Sequence, residues 1–118
     1  MKIKTIVELL NAEVLAGADK LDTDVHSACG CDLLSDVLAF VKEQAVLLTG
    51  MCNPQVVRTA VMMDMRCIVF VRGKVPGQDV IDLAEEHGLV ILTSDERMYS
   101  ACGKLYQNGL AAGSVIDD

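Results

Sequence analysis

Two cysteines one residue apart are the first residues of this chain whose spacing could do chemistry. Cys29 and Cys31 stand in the string CGCDLLSDV, and alternate side chains of a strand point to the same face. Two thiols on one face could bind a metal ion or respond to redox conditions. A structural zinc needs four ligands, and the other candidates, His26, Cys52 and Cys102, lack the usual Cys-x2-Cys spacing. We therefore favour a joint between a strand and a helix, and keep a cysteine-based metal or redox sensor as an alternative.

Two carboxylates follow at once. Asp32 and Asp36 are one helical turn apart, a spacing that an acid–base pair could use. Apolar residues repeat with helical spacing from Leu33 to Val41, so the sequence predicts a helix here. Acidic side chains in the first turn of a helix interact favourably with its dipole. We interpret Asp32 as the N-cap of this helix rather than as a catalytic group.

Three turns could hold an anion. They are TGMCNP (49–54), VRGKVP (71–76) and LTSDER (92–97), and each follows an apolar run and leads toward a helix, whose free amides favour a phosphate or a carboxylate. Arg72, Lys74 and Arg97 could add positive charge there. Solvated capping turns without a ligand are the alternative, because these residue types also cap helices. The predicted ligand-binding residues are Gly50, Asn53, Gly73, Lys74, Ser94 and Asp95.

Alternating strand and helix patterns must position these turns. The predicted strands lie at 12–17, 23–30, 45–50, 67–73 and 89–95. The predicted helices are a first one over 3–11, the one after Asp32, one opened by Asn53 and Pro54, one closed by Gly88, and one capped by Asp95. Strands that are apolar on both faces indicate a parallel sheet between two helical layers. The predicted fold is a three-layer α/β/α arrangement with a mostly parallel sheet of about five strands, and its turns share one edge.

Composition narrows the function classes. The 118 residues are 52% hydrophobic and 3% aromatic, with a formal charge of −7, so a nucleic-acid partner is not expected. No apolar run approaches the length of a membrane span, and the five cysteines are an odd number without a secretory signal, so we expect a cytoplasmic protein with reduced thiols. A single domain is predicted over residues 1–112, with a C-terminal tail at 113–118. The sequence has no GxGxxG, Walker-type or GxSxG motif.

Long strings of the sequence resemble the DRTGG domain family. These strings are GCDLLSDVLAFVKEQAVLLTG, NPQVVRTAVMMDMRCIVFVRGKVP and VIDLAEEHGLVILTSDERMYSACGKLYQNGL, and the resemblance extends over about residues 5–110. The segment DLLSDVLA is similar to the motif of small free-standing members. Where the family has its Asp-Arg pair this chain has Met51 and Cys52, and where the family has Thr-Gly-Gly it has Val71, Arg72 and Gly73. Of the motif positions, only Gly50 and Gly73 carry over.

The resemblance implies a fold similar to the N-terminal domain of HPr kinase. It also implies a regulatory or dimerisation module rather than an enzyme, since related modules lie between CBS domains in regulated pyrophosphatases and also occur in phosphate acetyltransferases. An adenine nucleotide near the subunit interface is the implied ligand, with no other cofactor. A hydrogenase-system protein or another metabolic protein is the implied protein partner.

Three functional hypotheses follow. The first is a homodimeric, non-catalytic regulatory module that binds an adenine nucleotide or another small anion at the strand-end turns. An apolar surplus large enough to cover a partner surface supports it. The second is a metal or redox sensor that uses Cys29 and Cys31 with Cys52. The third is an enzyme that acts on a phosphorylated metabolite at the same turns.

Overall fold

The computed structural model describes residues 1–40 and 44–111. Within these ranges the strands are β1 (Glu13–Ala16), β2 (Ser27–Gly30), β3 (Ala45–Thr49), β4 (Cys67–Phe70) and β5 (Val90–Thr93). They form one sheet in the order β1-β5-β4-β3-β2, in which β1 is antiparallel to β5 and the other neighbours are parallel. The predicted mostly parallel five-stranded sheet is therefore confirmed.

The helices of the same ranges are α1 (Ile3–Leu10), α2 (Leu34–Phe40), α3 (Pro54–Met62), α4 (Gln78–His87) and α5 (Met98–Gln107). A short 3-10 turn, Ala18–Lys20, follows β1. The helices α1 and α5 pack on one face of the sheet, whereas α2, α3 and α4 pack on the other. This is the three-layer α/β/α arrangement that the sequence predicts.

The central strands explain why the sheet is covered on both faces. All residues of β3, β4 and β5 are buried. Along β3, Val46 and Leu48 enter the core with α1 and α5, while Ala45 and Leu47 enter the core with the other three helices. Since successive strand residues point to opposite faces, a continuous apolar run requires a helical layer on each side.

Local capping predictions succeed at two helix ends. The Asn53 side chain accepts a hydrogen bond of 3.3 Å from the backbone N–H of Val56, directly before Pro54 in the first turn of α3. Gly88 adopts a left-handed conformation with φ of 70° and closes α4. Both ends depend on residues close in sequence, which is why the pattern predicts them.

Two other N-cap predictions are wrong. α2 begins at Leu34, and the carboxylate of Asp32 instead accepts hydrogen bonds from Thr49 and Gly50. α5 begins at Met98 with Arg97 in the N-cap position, so Asp95 does not cap it. In both cases the side chain lies two or three residues before the helix, and for Asp32 hydrogen bonds to a distant turn decide its position.

The second strand is shorter than the sequence predicts. It spans Ser27–Gly30 rather than 23–30, because Asp24 pairs with Lys2 in an isolated antiparallel bridge and the N–H of Val25 donates to the carbonyl of Met1. The predicted helical position Val41 and the predicted tail at 113–118 lie outside the described residues. No helix of the described part of the chain is long and apolar enough to cross a membrane.

We predict that Leu48→Ala lowers the free energy of unfolding by about 2–5 kcal/mol, because the fully buried leucine would leave a cavity in the core. Urea denaturation followed by circular dichroism measures this loss. The matched control is Leu33→Ala, since the Leu33 side chain is 58% exposed and its removal should cost less than about 1 kcal/mol. Equal losses in the two variants would contradict the assignment of Leu48 to the core.

Candidate functional site

The turns after β4 and β5 are joined by hydrogen bonds at the carboxyl edge of the sheet. The N–H of Arg72 donates to the carbonyl of Glu96 at 2.8 Å, and the N–H of Gly73 donates to the carbonyl of Ser94 at 2.9 Å. The Thr93 hydroxyl donates to the Lys74 carbonyl at 2.6 Å. Parallel pairing of the two strands places both turns at this edge, as the sequence predicts.

Arg72 links these two turns to the turn after β3. Its backbone is in the left-handed region with φ of 61°. This conformation is rare for residues other than glycine and costs free energy. A Cβ atom on Gly50 would overlap the Arg72 guanidinium, so the arginine side chain takes this position across the β3 turn because residue 50 is glycine. The strained backbone and the missing side chain together place a positive charge against the backbone of Gly50.

The Asp32 carboxylate meets this positive charge. One carboxylate oxygen accepts hydrogen bonds from the Gly50 N–H at 2.8 Å and from the Thr49 hydroxyl at 3.0 Å. The other oxygen lies 3.6 Å from Nη1 of Arg72. The Gly50 N–H holds the pKa of Asp32 below its ordinary value, with Thr49 and Arg72 contributing in the same direction and burial opposing them. The segment before α2 is thereby attached to the ends of β3 and β4.

The predicted ligand-binding residues divide into two groups. Gly50 lies against the Arg72 guanidinium, and Gly73 and Lys74 follow Arg72 in the same turn. Burial raises the pKa of the Cys52 thiol in the β3 turn, while the positive charges of Lys74 and Arg72 oppose that rise. An anion placed among these residues would meet two positive charges.

Asn53, Ser94 and Asp95 form the other group, and their side chains serve the fold or an acidic surface. The amide oxygen of Asn53 caps α3. The buried Ser94 hydroxyl donates to the carbonyl of Leu10 at 2.7 Å and accepts from the N–H of Glu96. Asp95 and Glu13 are among the residues that line a cavity of about 150 Å³ beside Gly73. Two carboxylates in one small cavity make this side of the edge unsuitable for an anion.

Cys29 and Cys31 lie at the junction between β2 and α2. Cys29 lies in β2, Cys31 directly follows that strand, and both pack partly buried against the core beneath α2, α3 and α4. Burial and the nearby Cys31 raise the pKa of the Cys29 thiol to about 11, so it is neutral at pH 7. Cys52 lies instead at the turn beside Arg72. Among residues 1–40 and 44–111, no group of three or more His, Cys, Asp or Glu side chains could hold a metal ion.

Asp32 and Arg72 are the two site residues whose roles the sequence does not reveal. Their contacts join residues 40 positions apart, and neither periodicity nor capping rules report such a pair. A weak signal exists in the string VRGKV, since glycine directly after an apolar strand marks a tight turn.

We predict that Asp32→Asn lowers the free energy of unfolding by about 1 kcal/mol at pH 7, a modest value because the ion pair is half exposed. Since the pKa of Asp32 is lowered in the folded protein, its contribution is complete above the ordinary value of 3.8 and is lost as the pH falls below it. Urea denaturation of both proteins at several pH values between 7 and 3 measures the difference.

For this experiment Asp36→Asn is the control, because it removes an equivalent charge from the first turn of α2. Its stability difference from the unmodified protein should be smaller at pH 7. A difference for Asp32→Asn that stays constant down to pH 3 would contradict the charged hydrogen bonds described above.

Comparison with solved structures supports the fold. The chain is similar to the crystal structure of the CBS and DRTGG domains from the regulatory region of Clostridium perfringens pyrophosphatase, complexed with the activator diadenosine tetraphosphate. The TM-score is 0.72 at 14% sequence identity, over 90% of this chain and 46% of that chain. The present chain therefore spans less than half the length of the protein it resembles, and the likeness concerns the fold.

Comparison at the level of sequence identifies the family. No curated protein matches the chain. The profile of the DRTGG domain matches residues 5–107, close to the extent over which the quoted strings resemble that family. The chain belongs to the DRTGG domain family.

Proposed function

We propose that this DRTGG domain is a non-catalytic regulatory module, a homodimer that responds to an adenine nucleotide or another small anion at its strand-end turns. The observation that carries the proposal is the outer face of α5. Both tyrosines of the chain, Tyr99 and Tyr106, lie there with 91% and 72% of their surface exposed. Aromatic side chains are enriched where proteins meet partners, so this face is suited to an interface.

The space between the tyrosines is open. They flank Gly103, where an added Cβ atom would meet no described atom within 4 Å. Both belong to the lining of a groove of about 570 Å³ along the helix. A small residue between two large ones lets a second helix approach closely, because the side chains at the crossing point set the distance between helix axes.

A second copy of this chain fits the groove by symmetry. Tyr99 lies four residues before Gly103 and Tyr106 lies three residues after it. If two copies of α5 cross antiparallel at Gly103, Tyr99 packs beside Tyr106 of the partner subunit, and the reverse contact forms at the same time. Such self-complementarity is what a two-fold symmetric interface requires.

The interface helix is connected to the strand-end turns. The Glu96 carbonyl that accepts the Arg72 N–H lies two residues before α5, and the Glu96 carboxylate also pairs with Lys104 in that helix. A change at Arg72 can therefore reach the first turns of α5, where Tyr99 is located. This continuity supports a module in which ligand binding and dimerisation influence each other.

Charge supports the ligand class. The chain carries a formal charge of −7, yet Arg72 and Lys74 lie two residues apart in one turn, and the Arg72 guanidinium lies against Gly50. An anion is the ligand that such a positive patch favours. The similar regulatory region of the pyrophosphatase was solved with diadenosine tetraphosphate, which makes an adenine nucleotide the first candidate. Of the six residues that the sequence suggests for binding, Gly50 and Lys74 are the ones that we propose contact the anion, because the N–H of Gly73 already donates to Ser94 and Gly73 lies beside Asp95.

We predict that Gly103→Glu converts the dimer into a monomer. The monomer should tolerate the substitution, because the site is open and glycine is a poor helix former. At the dimer axis two carboxylates would be buried close together, which should raise the dimer dissociation constant by about a hundredfold or more. Sedimentation velocity over a range of protein concentrations measures this constant.

The matched control is Met62→Glu, which places the same charge on an exposed apolar position of α3, in the other helical layer. This variant should remain dimeric. Monomeric unmodified protein at low micromolar concentration would contradict the proposed homodimer. A dimer that persists in Gly103→Glu but is lost in Met62→Glu would move the interface to α3.

A further inference from the structure

The carboxylate of Asp32 occupies a ready-made anion site. It accepts hydrogen bonds from the Thr49 hydroxyl and the Gly50 N–H, and it forms an ion pair with the Arg72 guanidinium at 3.6 Å. A backbone amide, a hydroxyl and a guanidinium that converge on one group are the donors that proteins use for phosphate. In this structure the anion that they hold is a side chain of the same protein.

The backbone that carries these groups is held by contacts that do not involve Asp32. The Arg72 backbone is held in its left-handed conformation by its hydrogen bond to Glu96, and the neighbouring Gly73 N–H is bonded to Ser94. Thr49 is buried at the end of β3, and its hydroxyl also accepts from the N–H of Met51 at 3.2 Å. Because this backbone does not depend on the resident carboxylate, another anion can replace that carboxylate with little backbone reorganisation.

The element that carries Asp32 is weakly held. α2 has seven residues, and among its described side chains only Val37 is fully buried. Just before the helix, Leu33 is 58% exposed, while the sulfur of Cys31 accepts from its N–H at 3.1 Å. Since few apolar contacts hold this segment, the Asp32 carboxylate is a main attachment of the helix to the sheet edge, and its release costs little.

We propose that a phosphate group of the ligand binds to Thr49, Gly50 and Arg72 by displacing the Asp32 carboxylate, and that this displacement detaches the start of α2 from the sheet edge. The inference deepens the proposed function, on which it rests, by assigning the anion site and the element that moves. Asp32 acts as an internal competitor. The two states differ in whether these donors hold the side chain or the ligand, which supplies the differential contact that a ligand-driven change requires.

At high ligand concentration, the larger negative charge of the ligand favours its binding over that of the Asp32 carboxylate. A polyphosphate carries several negative charges against the single charge of Asp32, and Lys74, two residues after Arg72 in the same turn, is the second cation available to it. The low pKa of Asp32 means that it competes as a carboxylate at neutral pH. Removal of the competitor should therefore strengthen binding of any ligand that uses these donors.

The test compares binding of ATP and of inorganic triphosphate to the full chain by isothermal titration calorimetry. We expect Asp32→Ala to bind both probes roughly tenfold more tightly than the unmodified protein. Asp36→Ala is the matched control, because it removes a carboxylate from the same segment without opening the site, and its affinity should change much less. Equal gains with both probes assign the site to phosphate alone, whereas a gain with ATP only adds recognition of the nucleoside to it.

Hydrogen exchange measured by mass spectrometry provides the second readout. On addition of saturating ATP to the unmodified protein, exchange should increase in residues 33–40, and Asp32→Ala should show the faster exchange without ATP. If the unmodified protein binds ATP while Asp32→Ala gains no affinity and exchange in this segment is unchanged, the displacement is wrong but the proposed ligand binding stands. If neither protein binds either probe, both proposals are wrong.

Discussion

The strands β3, β4 and β5 are buried on both faces. This burial determines how the strands pair, where the helices pack and where the turns lie. Strands with no exposed residue must satisfy their backbone groups within the sheet, and parallel pairing does so while helices cover both faces. The same pairing aligns the carboxyl ends of all three strands. Polar and charged residues that cannot enter the core collect in the turns at this edge, so the candidate site is a consequence of the packing.

The site consists of an ion pair between Arg72 and Asp32 in a protein with a net negative charge. Arg72 adopts an unfavourable backbone conformation, and the hydrogen bonds of its own N–H and of Gly73 maintain it. Its guanidinium lies where Gly50 has no side chain, and Asp32 supplies the opposing charge. Two helices are attached to this arrangement, α2 through Asp32 and α5 through Glu96. A ligand that changes the contacts of Arg72 therefore acts on both helical layers at once.

The sequence predicts the fold well because its strongest signals are local and periodic. Apolar runs of strand length, Asn53 before Pro54 and Gly88 after α4 all report conformations that nearby residues determine, and the structure confirms them. The family resemblance, read from strings that cover most of the chain, is confirmed by the family profile. The alignment of the strand-end turns also follows from the pattern, since parallel connections place them at one edge.

The details of the site could not be predicted for a physical reason. Asp32 and Asp95 have the chemistry of N-caps, but tertiary contacts draw Asp32 to Gly50, and Asp95 lies beside Gly73 rather than at the start of α5. From the sequence, Arg72 is recognisable only as a positive charge at a turn. No local rule reveals that its backbone is left-handed or that its side chain crosses a glycine in another turn. Likewise, the exposure of Tyr99 and Tyr106 depends on which face of α5 meets the sheet.

We expect ligand binding at the sheet edge and dimerisation through α5 to be coupled. The most direct test is the dimer dissociation constant, measured by analytical ultracentrifugation with and without saturating ATP. We expect the dimer dissociation constant to change by about fivefold or more when ATP is bound. Coupling between two sites in one protein changes both binding equilibria by the same factor. An identical dissociation constant with ATP demonstrably bound would contradict the coupling.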